Sequence, residues 1–83
     1  MPVDQIDGGF ARELRECIGL NQEAAGELIH RSRYSIMRWE AATAPRSYVE
    51  ALIEAAPRIA AASAAYEAAI LAEMLERARK ILG

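Results

Sequence analysis

The stretch Leu20–Glu40 reads LNQEAAGELIHRSRYSIMRWE and holds two short helical patterns on either side of a tight break. Asn21 can accept hydrogen bonds from free N–H groups and so open the first helix, about Gln22 to Ile29, with Glu23 in its positive first turn. That helix turns Ala25, Leu28 and Ile29 inward, and His30-Arg31 forms the break. Ser32 caps the second helix, about Arg33 to Glu40, which buries Ile36 and Trp39. Gly26, midway through the first helix, costs about 1 kcal/mol against Ala and so demands a packing reason. The reading is a side-chain-free spot against which the second helix presses.

Working outward, Met1–Gly9 carries Pro2, Gly8 and Gly9 without an apolar period and reads as an arm. Phe10, Leu14, Cys17 and Ile18 set a helical pattern that Gly19 ends. Ala41–Arg46 reads as a loop containing Pro45. Ser47-Tyr48-Val49-Glu50 has capping-box spacing ahead of a fourth helix to about Ala56. Pro57 suits the first position of a last helix, Ala-rich and unbroken to Leu82, roughly 35–40 Å long. The expectation is an all-α protein of five helices: an arm over 1–9, a compact unit over 10–56 and a long C-terminal helix over 57–83.

The chain has 83 residues, near the lower limit for a self-sufficient core, which leaves room for a partner subunit to complete it. One cysteine, Cys17, and one histidine, His30, form no internal bridge and no metal cluster. No apolar run reaches the roughly 20 residues of a membrane span, and no leader pattern opens the chain. A cytoplasmic protein without metal, cofactor or small-molecule effector is expected. No nucleophile is paired with a base, so catalysis is not expected. The net charge of −2 opposes phosphate binding if taken whole. Its distribution does not, because Leu28–Val49 holds Arg31, Arg33, Arg38 and Arg46 against the single acid Glu40.

From Phe10 to Ala56 the sequence resembles the Cro/repressor (XRE-type) helix-turn-helix family, most strongly in LNQE at Leu20–Glu23 and SRYSIMRWE at Ser32–Glu40. The resemblance implies a Cro/repressor-like domain whose second motif helix reads DNA. Arg33, Tyr34, Met37 and Arg38 match the base-facing positions, and Gln22, Ser35 and Arg46 match phosphate contacts. Arg15 and Glu40 match a salt-bridged pair that in some members joins the first helix to the recognition helix. Two positions depart from the pattern. His30 stands where Gly is usual, although His is among the residues enriched in left-handed backbone. Arg31 stands where a small apolar residue is usual; either the turn differs in detail, or Arg31 snorkels outward and adds a phosphate contact. Independently of the family, arginine forks fit the O6/N7 edge of guanine, and residues 33, 34, 37 and 38 share one helical face.

In the last helix, Ile59, Tyr66, Ile70, Met74 and Ile81 fall along one line, and Leu71, Leu75 and Leu82 along another. Either both lines pack on the body of the same chain, or Tyr66, Ile70, Leu71, Met74, Leu75, Ala78 and Leu82 meet a second subunit; the second is the expectation. The function expected is a DNA-binding transcriptional regulator, a repressor acting as a homodimer on an inverted-repeat operator in double-stranded DNA. Small stand-alone regulators of this kind resemble phage or mobile-element repressors, anti-CRISPR-associated autorepressors among them. The rival reading is a protein-interaction module, an antitoxin or adaptor, using the same fold.

Overall fold

Asp7 opens the first helix by accepting the Phe10 N–H at 3.1 Å, as seen in a computed structural model of the chain, which describes residues 4–62 and 68–83. That helix, α1, spans Gly8–Ile18 and follows directly on a short strand, β1, at Gln5–Asp7. Gly19 ends it at φ 93°, a left-handed conformation that only glycine adopts without strain. Next come α2 (Gln22–Leu28), α3 (Arg33–Ala41), a second strand β2 (Thr43–Pro45), α4 (Arg46–Ala62) and α5 (Ala68–Leu82).

The fold is mostly helical, but not wholly so. β1 and β2 pair antiparallel, with Gln5 opposite Pro45, Ile6 opposite Ala44 and Asp7 opposite Thr43. The expected arm over 1–9 and loop over 41–46 are therefore corrected, over 5–7 and 43–45, to a two-stranded ribbon. Alternation explains it: Ile6 and Ala44 face the core while their neighbours stay outside, a period too short to register in three-residue segments. Gly8, read as part of the arm, lies where α1 meets α3. A Cβ there would stand 2.2 Å from the Trp39 carbonyl oxygen, and the Gly8 N–H bonds the Ala42 carbonyl at 3.0 Å.

The ribbon also moves the start of the fourth helix. The Arg46 N–H bonds the Asp4 carbonyl, and α4 begins at Arg46, so Ser47 lies inside the first turn and is not its cap. Glu50 pairs with Arg46 at 3.5 Å, four residues back. Pro57 is a second correction: it sits inside α4 and does not start a new helix. Pro57 is exposed, where water can serve the carbonyl that its missing N–H leaves open.

α1 is the hub, packing on α3, α4 and α5, while α2 packs on α3. Leu14, Ile18, Ile36, Tyr48, Val49 and Leu52 form the fully buried centre. Cys17 packs half-buried against this core, and burial raises its thiol pKa. α5 closes the core with Leu71, Met74, Ala78 and Leu82, all buried against their own chain.

Candidate nucleic-acid interface

The α2–turn–α3 unit is held at each joint by a local device. Asn21 Oδ1 accepts the Ala24 N–H at 2.7 Å, and Ser32 Oγ accepts the Ser35 N–H at 3.4 Å. The Gly26 carbonyl accepts the N–H groups of Ile29 at 3.1 Å and Arg31 at 2.9 Å. His30 takes the left-handed conformation at φ 57°. A Cβ on Gly26 would stand 2.4 Å from the Arg31 carbonyl oxygen, so the turn's own backbone, and not a side chain of α3, requires the glycine.

Along α3 the two faces separate cleanly. Ile36 and Glu40 are buried and Trp39 is half-buried, its ring tilted against Tyr48 at a centroid distance of 5.5 Å. Arg33, Tyr34, Met37 and Arg38 are exposed on the other side. Tyr34 and Met37, at 57% and 44%, are large apolar groups left in water, which asks for a reason. The Arg33 guanidinium lies over the Tyr34 ring at 5.1 Å and donates to its hydroxyl at 3.3 Å, which stiffens the pair.

The charges on this face stand open. Among the described residues, Arg12, Arg15, Arg46 and Lys80 each meet a carboxylate. Among the described residues Arg31, Arg33 and Arg38 meet none and are all exposed, as is true also of Arg58, Arg77 and Arg79 elsewhere on the surface. A groove beside them is lined by Glu23 and Glu27 of α2 together with Arg31, Ser32, Arg33 and Tyr34, so it carries two carboxylates as well as two guanidinium groups.

Beneath this surface lies a buried polar cluster. Arg15 Nε donates to Glu40 Oε2 at 2.7 Å and Nη2 to Oε1 at 2.9 Å, while Nη1 reaches the Leu20 carbonyl at 2.8 Å. The Tyr48 hydroxyl donates to Glu40 Oε2 at 3.0 Å and Gln22 Nε2 to Oε1 at 3.3 Å. α1, α2, α3 and α4 thus meet on one carboxylate. Burial works against ionising Glu40, but the hydrogen bonds from Arg15, Gln22 and Tyr48 outweigh it and hold its pKa below the usual range. The hydrogen bond to Glu40 raises Arg15 further against the cost of burial. Burial and the Glu40 charge push the Tyr48 phenol well above its ordinary value.

Several residues singled out in the sequence face elsewhere. Gln22, matched to a phosphate contact, turns its amide N–H inward to Glu40. Arg46 is tied to Glu50 and to the Leu82 carbonyl, so it clamps α4 to the end of α5. Ser35 is half-buried behind its cap. Of the expected dimer seam, Leu71, Met74, Ala78 and Leu82 are corrected to core residues of their own chain, because α5 packs on α1 and α4. Arg77 above the Phe10 ring at 5.3 Å adds to that packing. Ile70 remains half exposed and Leu75 partly so, while Tyr66 lies outside the described residues. Tyr48 and Gln22 went unrecognised as partners of Glu40. The available signal was the Tyr48 hydroxyl, which needs a partner once its ring falls in an apolar run.

Among the described residues no group of side chains is placed to hold a metal ion, and no helix is long and apolar enough to cross a membrane. Comparison with protein-family models, curated proteins and solved structures found no match to the chain.

Proposed function

We propose that this chain is a sequence-specific double-stranded DNA-binding regulator of the Cro/repressor helix-turn-helix type, a repressor acting as a homodimer on an inverted repeat. One observation carries the reading: α3 presents Arg33, Tyr34, Met37 and Arg38 together on an exposed face whose arginines have no carboxylate partner among the described residues. An arginine already held by an acid would have to break that pair before meeting DNA. Arg33 and Arg38 are spared that cost.

The chemistry suits the major groove, which admits one α-helix and offers guanine O6 and N7 to a guanidinium fork. Tyr34 and Met37 supply apolar contact for thymine methyl groups. The Arg15–Glu40 cluster supports the reading from beneath, because it fixes the end of α3 to α1 and α4 and sets the angle of the helix. A helix of nine residues is about 14 Å long and reaches only a few base pairs, which favours two copies on a two-fold site.

Selection of bound sites from random duplex DNA, followed by gel-shift titration at several salt concentrations, tests this directly. The expected result is an inverted repeat with half-sites about one helical turn apart and affinity that falls steeply with salt. Absence of any sequence preference would sink the proposal.

A further inference from the structure

Arg31 borders not only the α2–α3 groove but also a second cavity, of about 440 Å³, which is lined by Gln5, Ile29, Arg31, Trp39, Pro45 and Ser47. No carboxylate lines it, in a chain where acids outnumber bases twelve to ten. The side chains that line it include three that can donate, the Arg31 guanidinium, the Gln5 amide and the Ser47 hydroxyl, of which the last two can also accept. Arg31 is exposed and meets no acid among the described residues. Gln5 has its carbonyl oxygen occupied by the Thr43 hydroxyl at 3.0 Å, which leaves its amide N–H groups as the part of the side chain still to be used. Ser47 adds a hydroxyl. Ile29, Pro45 and Trp39 supply an apolar wall, against which a charge-assisted hydrogen bond is stronger than in open water.

Resting on the DNA-binding reading above, we propose that this cavity seats a backbone phosphate of the bound duplex, held by Arg31 with Gln5 and Ser47. Arg31 borders both this cavity and the groove that includes Arg33 and Tyr34, so one strand passing the start of α3 meets both. The β1–β2 ribbon then belongs to the DNA-binding surface as well as to the core. A phosphodiester fits the donor set because it offers acceptor oxygens and one delocalised negative charge, which a guanidinium fork matches in two places. Such a contact positions the protein and carries no sequence information of its own.

Trp39 lines the cavity and is the only tryptophan in the chain, so its emission reports on the site. The test titrates wild type and Arg31→Gln with a fluorescently end-labelled random-sequence duplex and with the selected inverted repeat. Anisotropy of the label and Trp39 emission are followed at several salt concentrations. The expected result is that Arg31→Gln loses the Trp39 response, lowers the slope of log affinity against log salt by about 0.9 per subunit, and keeps the wild-type base preference. Ser47→Ala, at an exposed position, should weaken binding to both duplexes equally. If Arg31→Gln binds with an unchanged salt slope, the phosphate site is overturned while the recognition reading stands. A changed base preference would make Arg31 a base contact and equally overturn the assignment. If wild type binds neither duplex, both proposals fall together.

Discussion

Arg15 and Glu40, twenty-five residues apart, meet through two short charge-assisted hydrogen bonds of 2.7 and 2.9 Å in the interior, so α1 holds the end of α3 by a fork that cannot rotate. Both side chains are almost wholly removed from water, at 9% and 3% exposure, and removing one strands the other. Arg15→Met should therefore cost about 3–5 kcal/mol in chemical denaturation, far more than the loss of an exposed pair such as Arg12–Glu16. Adding Glu40→Gln to Arg15→Met should recover a good part of that loss, because the charge left behind is then gone.

The same cluster sets the response to acid. The folded-state pKa of Glu40 is lowered, so the unfolded chain binds its proton first as pH falls. Its contribution to stability is complete above the unfolded carboxylate value of about 4.3, and is lost as pH drops towards the folded value. Thermal unfolding followed from pH 7 to pH 3 should show this contribution being lost as pH falls through about 4.3 and below. Glu40→Gln should be less stable at pH 7 and should lose less on acidification.

Most of the helical frame was legible because its signals are local. Asn21, Ser32 and Gly19 punctuate the chain by their own chemistry, and each sits at the helix end that chemistry dictates. His30 takes the positive φ expected of the turn position. What stayed hidden depends on residues distant in sequence. Ile6 and Ala44 have little strand signal alone and pair only because α1 and α3 bring them side by side. Gly8 reads as part of an arm because the backbone carbonyls that crowd it, from Trp39 to Ala42, lie more than thirty positions away. The two apolar lines read in the last helix left open whether its own chain or a second subunit covers them. Nothing local to the helix says that α1 and α4 of the same chain cover Leu71 and Leu82.

Gly26 offers a test of the turn. On helix propensity alone Gly26→Ala would gain about 1 kcal/mol. Here the new methyl would stand 2.4 Å from the Arg31 carbonyl oxygen, which is backbone and cannot step aside without moving the turn. Overpacking of this kind costs about 1–3 kcal/mol, so the net effect should be destabilising. DNA affinity should fall with it, since Ser32 and Arg33 follow directly on the displaced segment. A more stable variant with wild-type affinity would show that the turn is looser than the structure has it.

Arg38 is the sharper probe of recognition, because it is exposed, lies in the last turn of α3 and makes no ion pair among the described residues. Arg38→Ala should leave the denaturation curve nearly unchanged. It should cost about 1–3 kcal/mol on the selected site and relax preference at one position of each half-site. Equal weakening on every sequence would instead make Arg38 a phosphate contact.

Association through α5 can be separated from folding by two substitutions. Ile70 is half exposed, a large apolar group in water that a second copy would cover. Leu71, its neighbour in sequence, is 5% exposed and already belongs to the core of its own chain. If α5 carries the contact between copies, Ile70→Glu should keep the monomer folded, since it disturbs no core packing, yet shift sedimentation from dimer to monomer. It should also lower affinity for the inverted repeat while sparing an isolated half-site, because each subunit then binds without help from the other. Leu71→Ala should act in the opposite sense, lowering stability by about 2–5 kcal/mol with no direct effect on association. Dimers that survive Ile70→Glu would place the contact between copies on another face.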